Sequence, residues 1–245
     1  PYPHKTMKIV YEMKRDYNCR FIRGNREEYM LHHRKKLGER WTYSSASGSL
    51  LYTYENLTER DFGFFESLDI EGYYEKEGYP PFRYCHGSLT RSNEILEPEG
   101  ENTRQLMNSL DVDLLVSGHM HFQEEKMYDG KKILHPGAVG VSWYFDGRTQ
   151  YMMLHGAKSG WEAAFFQLDY DVEKVVKDFE TSGLNEKAPA WSKVTIHTLR
   201  TGNDYNLACL TRAKELCEKA EGTVVWPDIP EKYWQQALQE FGIVD

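Results

Sequence analysis

Three short segments of this 245-residue chain carry metal-binding residue types directly after a β-like apolar stretch. They are Arg23-Gly24-Asn25-Arg26-Glu27, Cys85-His86-Gly87 and Gly118-His119-Met120-His121. In an α/β fold, ligand-binding side chains gather outside the carboxyl ends of the strands. The sequence therefore predicts that one amide oxygen and three imidazoles meet at one rim of a sheet. These groups belong to Asn25, His86, His119 and His121.

Each segment also has an ordinary structural interpretation when it is taken alone. Two histidines separated by one residue can be a surface pair or hydrogen-bonded core residues. An asparagine in a turn usually bonds the backbone, and a single histidine such as His86 is more often structural. The three segments together, in this order and each after a predicted strand, favour a metal site.

The composition is that of a globular protein with one sizeable domain plus an appendage. Hydrophobic residues make up 40% and charged residues 28%, and no apolar run is long enough to cross a bilayer. The net charge of −8 argues against an extended nucleic-acid-binding face. It is compatible with a phosphate-bearing substrate, because bound metal ions supply positive charge. The four cysteines lack CxxC spacing and predict reduced thiols in a cytoplasmic protein.

Periodicity and turn signals predict an α/β core over residues 1–170 and a helical C-terminal appendage over residues 171–245, packed on that core. Within the core we expect strands at residues 19–22, 82–85 and 113–117. Hairpins are expected to follow the last histidine segment, because Asp-Gly pairs are strong turn signals.

Helices are expected at residues 6–14, 27–36, 58–68 and 102–110. Thr6 and Thr58 are the expected N-caps of the first and third of these helices. The pair Pro80-Pro81 is expected to break the chain before the strand at residues 82–85.

The ordered segments resemble the motifs of the calcineurin-like metallophosphoesterases, in particular the small bacterial phosphodiesterases of the YfcE type. They are similar to the family's GNH[DE], lone-His and GHxH blocks, and HPGAVG at residues 135–140 is similar to its NPGSVG stretch. The resemblance covers roughly residues 1–175. It implies an α/β/β/α sandwich of two mixed sheets flanked by helices.

The resemblance also implies a hydrolytic site with two divalent transition metals. Asn25, His86 and His119 would hold one metal, and His121 would help to hold the other. Mn²⁺ is the first choice, and Fe, Co, Ni or Zn would suit the same ligand types. Two such ions, roughly 3.5–4 Å apart, activate a water and clamp the oxygens of a phosphoester.

The chain departs from the family pattern at several positions. The family's DxH and GD blocks are absent, which suggests that the chain begins inside the domain. We therefore expect residues 1–245 alone to bind metal weakly and to hydrolyse little substrate. Arg26 replaces a frequent histidine; it either stabilises charge on phosphoryl oxygens or is solvated beside Glu27 and Glu28. His135 replaces an asparagine, and a turn-side structural role is favoured for it.

The main hypothesis is a metal-dependent phosphodiesterase or phosphatase that acts on a small phosphoester, without a membrane partner. The alternative is a catalytically degenerate scaffold on the same fold. A DxH and a GD block encoded upstream of Pro1 would favour the enzyme, and their absence would favour the scaffold.

The C-terminal appendage has two interpretations of its own. It is either packed through its aromatic residues or an interaction module that supports a homo-oligomer, and packing is favoured. The aromatic residues are Trp226, Tyr233, Trp234 and Phe241.

Overall fold

The computed structural model describes residues 1–37 and 40–243. Its helices are α1 (Pro3–Asp16), α2 (Asn25–Arg34), α3 (Gly48–Glu55), α4 (Glu59–Glu66), α5 (Glu101–Ser109), α6 (Val172–Thr181), α7 (Leu184–Lys187), α8 (Pro189–Thr201), α9 (Asn206–Glu221) and α10 (Glu231–Glu240). Its strands are β1 (Glu71–Lys76), β2 (Tyr79–Cys85), β3 (Leu114–Ser117), β4 (Gln123–Tyr128), β5 (Lys131–Pro136), β6 (Thr149–Ala157) and β7 (Gly160–Leu168). Within the described ranges, no helix combines the length and apolarity needed to cross a bilayer.

The chain folds into two compact units that are built from interleaved segments. The helical unit contains Pro1–Cys19, Tyr29–Gly63 and Asp171–Asp245, and the strand unit contains Arg20–Glu28 and Phe64–Tyr170. One junction between the two units lies between Tyr170 and Asp171. The first and second segments of the helical unit, which the sequence analysis assigned to the core, cluster instead with the C-terminal helices.

Close contacts between distant residues explain this grouping. The backbone N–H and hydroxyl of Ser45 donate to the Glu231 carboxylate at 2.7 and 2.6 Å, and the Ala190 N–H donates to the Ser45 hydroxyl at 2.8 Å. At the start of α3, a Cβ added to Gly48 would lie 1.9 Å from the Lys187 carbonyl oxygen. Local sequence patterns carry no information on such long-range contacts.

The core of the helical unit lies among α8, α9 and α10. Tyr233 and Trp234 are only 6% and 5% exposed there, and Phe241 packs against the same cluster. These three aromatic residues therefore pack within the helical unit. All four cysteines, each in the described part of the chain, are free thiols.

The strand unit is a mixed α/β structure. Its five-stranded sheet has the order β1-β2-β3-β5-β4. The pairs β2–β3 and β3–β5 are parallel, whereas β1–β2 and β4–β5 are antiparallel. The strands β6 and β7 form a separate antiparallel pair. The expected α/β fold with a mixed sheet is confirmed, and the second sheet is an antiparallel hairpin.

Side chains alternate between the two faces of the large sheet along each strand. A different element covers each face. On one face, Met107 from α5 packs with Leu115 and Ile133, all three fully buried. On the other face, Trp161 of β7 packs its ring edge-on against Phe82 and donates its indole N–H to the Pro80 carbonyl at 2.8 Å. The strand unit is thus layered as helix, sheet and hairpin.

Two expected elements of the strand unit differ from the structure. Residues 19–22 form no strand, and the adjoining Arg23 donates one backbone hydrogen bond to Asp69. The prolines 80 and 81 lie inside β2 and do not precede it. The pairing of β1 with β2 shifts register between Tyr74 and Lys76, and a bulge is a place where a strand tolerates proline.

The expected N-caps have opposite outcomes. Thr58 caps α4, because its hydroxyl accepts from the Asp61 N–H at 3.4 Å and the Asp61 carboxylate accepts from the Thr58 N–H at 2.8 Å. The prediction that Thr6 is the N-cap of α1 is wrong. This helix begins at Pro3, where a residue without an N–H costs no hydrogen bond.

Candidate metal site

The parallel pairing of β2 and β3 brings two histidine segments to one edge of the sheet. Cys85, the last residue of β2, lies opposite Ser117, the last residue of β3. His86 and the segment beginning at Gly118 therefore leave the sheet side by side, as the strand-end argument predicts. The Gly118 N–H donates to the Cys85 carbonyl at 3.0 Å and ties the two strand ends together.

Asn25 and His119 both approach His86. The Asn25 side-chain oxygen and the His86 Nε2 are 3.0 Å apart, and the His86 and His119 ring centroids are 5.2 Å apart at 63°. His121 is close enough for its charge to lower the pKa of both other imidazoles. The structure thus brings Asn25 and His119 to His86, and it places His121 within electrostatic range of both histidines.

Two glycines make room for the His86 ring. A Cβ added to Gly24 or to Gly118 would lie 3.3 Å from His86 Nδ1, which is tighter than ordinary van der Waals contact. The next residue, His119, has a φ of 62°, a left-handed conformation that is uncommon outside glycine. The backbone around the imidazoles is therefore shaped to hold them close together.

The lowered pKa values of His86 and His119 favour the neutral form of these two imidazoles. Burial is the largest cause that lowers the pKa of His86 to about 4, and the nearby His119 and His121 are the smaller causes. Burial also lowers the pKa of His119, with His121 as the second cause. A neutral imidazole has a free nitrogen lone pair, which is the form that binds metal ions.

His121 is oriented by a segment that the sequence analysis did not select. Its Nδ1 lies 2.9 Å from the Val141 carbonyl, so this nitrogen donates and Nε2 carries the lone pair. The Trp143 N–H in turn donates to the His121 carbonyl at 2.7 Å. Val141 has a φ of 55°, which is strained for a β-branched residue. Residue type could not have revealed Val141, because it acts through a backbone carbonyl.

His135 is buried in β5 and is not a turn-side residue. Its side chain has 0% exposure, and its Nδ1 lies 3.1 Å from the Ser117 carbonyl, two residues before His119. Among the described residues, its Nε2 is buried without a hydrogen-bond partner. Burial lowers the pKa of this histidine. His135 therefore contacts Ser117, the last residue of β3, close to the histidine cluster.

Arg26 lies exposed in the first turn of α2. Each neighbouring carboxylate accepts a hydrogen bond: Glu27 accepts from the Gly24 N–H at 2.9 Å, and Glu28 accepts from the Ser92 hydroxyl. The Glu27 contact satisfies a backbone donor at the start of α2, as capping residues do.

The donor set fits part of a metal site. A separation of 3.0 Å between Asn25 Oδ1 and His86 Nε2 is about that of adjacent ligands on an ion with bonds of about 2.1 Å. Residues 1–37 and 40–243 nevertheless contain no group of three or more His, Cys, Asp or Glu side chains arranged to hold an ion. The donors of Asn25, His86, His119 and His121 are imidazole nitrogens and an amide oxygen, and none of these four side chains is a carboxylate.

Neither protein-family models nor curated protein sequences give a match to the chain. Solved structures that are similar in fold include the following two. The hypothetical protein PH1004 from Pyrococcus horikoshii OT3 has a TM-score of 0.66 and 16% identity, over 83% of this chain and 81% of its own. A metallophosphoesterase from Sphaerobacter thermophilus has a TM-score of 0.54 and 17% identity, over 74% of this chain and 76% of its own. At these identities, the chain shares its α/β architecture with a solved metallophosphoesterase.

Proposed function

We propose that this protein is a calcineurin-like phosphoesterase of the YfcE type that hydrolyses a small phosphoester with divalent metal ions. The proximity of Asn25 and His119 to His86, at one end of the parallel strands β2 and β3, is the observation that carries the proposal. The similar architecture of a solved metallophosphoesterase supports it at the level of the fold.

Asn25, His86 and His119 would hold one metal, and His121 would help to hold a second. Nitrogen and amide oxygen donors suit Mn²⁺, and equally Fe, Co, Ni or Zn. When bound, two such ions supply an activated water and a positive clamp for the phosphate oxygens.

The protein's own residues would contribute orientation and charge. The Val141 carbonyl fixes the His121 tautomer, as outer partners of metal-binding histidines do. The helix α2 begins at Asn25, so its positive N-terminal end lies at the histidine cluster and favours an anionic phosphate there. Arg26, in the same turn, can stabilise negative charge on phosphoryl oxygens but cannot act as a general acid near neutral pH.

Calorimetric titration of metal-free protein with Mn²⁺ tests the metal site. We expect weak, saturable binding that becomes at least about tenfold weaker in His86→Ala. His155→Ala is the matched control, because His155 is exposed on β6 of the same unit. Absence of binding, or binding that His86→Ala leaves unchanged, would overturn the proposed site.

Hydrolysis is tested with Mn²⁺ and a panel of phosphomonoesters and phosphodiesters. Turnover that is lost with His86→Ala and retained with His155→Ala supports the enzyme.

A scaffold on the same fold is the second candidate. One observation favours it: residues 1–37 and 40–243 contain no group of three or more His, Cys, Asp or Glu side chains arranged to hold an ion. Metal binding without turnover of any phosphoester would support the scaffold and reject the hydrolase.

A further inference from the structure

A cavity with a volume of about 380 Å³ lies wholly within the helical unit. Five ring-bearing side chains line it: Tyr29, His32, His33, Trp41 and Trp226. Leucines complete the wall, among them Leu210 of α9. Among the described residues that line it, none is Asp, Glu, Lys or Arg. The cavity therefore suits a ligand whose buried part is uncharged.

One wall of this cavity is a preformed stack of two rings. The His33 and Trp41 rings are parallel to within 2°, with centroids 4.0 Å apart. Tyr54 approaches both rings edge-on, at 5.0 and 6.4 Å. Three mutually packed rings lose little further conformational freedom when a ligand binds, which favours stacking of another flat ring.

Trp226 contributes to this cavity from the connection between α9 and α10. It is half-buried, unlike Trp234, which is 5% exposed inside the core of the helical unit. The core cluster of this unit contains Trp234 and Tyr233 but not Trp226. A large aromatic side chain that lines a cavity outside the core is suited to ligand contact.

We propose that this cavity binds a neutral, planar heteroaromatic ring of the purine class. Its volume is at the small end of ligand pockets, about 300–1,000 Å³, and suits a compact ring system. Aromatic walls stack well on the flat face of a base. The imidazoles of His32 and His33 can each offer a donor and an acceptor to the polar edge of such a ring. This site shares no residue with the histidine cluster, so its failure would leave the proposed hydrolase untouched.

Isothermal titration calorimetry with adenine tests the proposal, together with the indole N–H resonance of Trp226. Trp226→Leu removes a ring wall but keeps an apolar side chain, and Leu210→Trp fills the cavity. We expect either change to weaken adenine binding by about tenfold or more. Trp191→Phe is the control, because Trp191 stacks on Phe179 in the same unit and does not line the cavity.

Parallel titrations identify the ligand class. Saturable binding of adenine with perturbation of the Trp226 resonance supports the proposal. Equal binding of AMP identifies a nucleotide as the source of the ring, and weaker binding of AMP identifies a free base. Absence of adenine binding, or unchanged binding in Trp226→Leu, would overturn the proposal. Equal or tighter binding of indole or cyclohexanemethanol would overturn the purine assignment.

Discussion

Different kinds of contact stabilise the strand unit and the helical unit. In the strand unit, the candidate metal site forms where neighbouring parallel strands end, so strand pairing itself brings His86 beside His119. In the helical unit, side chains more than a hundred residues apart in sequence make the decisive contacts, such as Ser45 with Glu231.

This difference shows which features of a fold can be read along a sequence. A strand followed by a ligand type is a local pattern, and the geometry of a sheet then places the ligand. A contact such as that of Gly48 with Lys187 has no local pattern. Three experiments test whether the two units depend on these two kinds of contact.

The largest expected effect is that of Gly48→Ala on the helical unit. Its new Cβ would overlap the Lys187 carbonyl, a backbone atom that cannot move independently. We expect the free energy of unfolding to fall by about 3 kcal/mol, measured by thermal denaturation followed by circular dichroism.

Gly63→Ala is the matched control for this change. Gly63 lies inside α4 of the same unit, and nothing lies within 4 Å of an added Cβ. Alanine there should raise stability by about 0.5–1 kcal/mol. Equal effects of the two substitutions would contradict the close packing of α3 on α7.

The second expected effect is a loss of stability of the metal-free strand unit at mildly acidic pH. The pKa of His86 is lowered to about 4, against about 6.5 in an unfolded chain. Between these values the unfolded state binds more protons, so stability falls as the pH drops from about 6.5 to about 4. One such histidine contributes a slope of at most about 1.4 kcal/mol per pH unit.

Denaturant unfolding at several pH values, with a chelator present, measures this slope. His86→Gln should reduce the difference in bound protons between the unfolded and folded states by nearly one, and the slope should fall accordingly. An NMR titration that places the pKa of His86 near 6.5 in the metal-free protein would show that burial does not hold the ring neutral.

The smallest expected effect concerns the end of α2. Lys36 has a φ of 56°, and the next N–H, of Leu37, donates to the His32 carbonyl at 3.0 Å. Glycine is the usual residue at such a helix end, so Lys36→Gly should raise stability by about 0.5–1 kcal/mol. Lys35→Gly should lower it by about the same amount, because Lys35 donates a helical hydrogen bond to Leu31. Chemical denaturation measures both, and a loss of stability in Lys36→Gly would contradict the assigned conformation.

The sequence was most informative about the candidate site. Asn25, His86, His119 and His121 could be selected because each follows a segment that was expected to be a strand, although residues 19–22 form none. The Val141 carbonyl could not be selected, because every residue type carries the same carbonyl. The aromatic cavity could not be predicted either, since Trp41 and Trp226 are far apart in sequence.

The interleaved segments determine how this molecule can be divided. Because the helical unit takes three stretches of chain and the strand unit takes two, no single proteolytic cut separates them. A product ending at residue 170 would leave Ser45 and Gly48 without the helices that cover them. Recombination that exchanges one unit for that of another protein would need four crossover points.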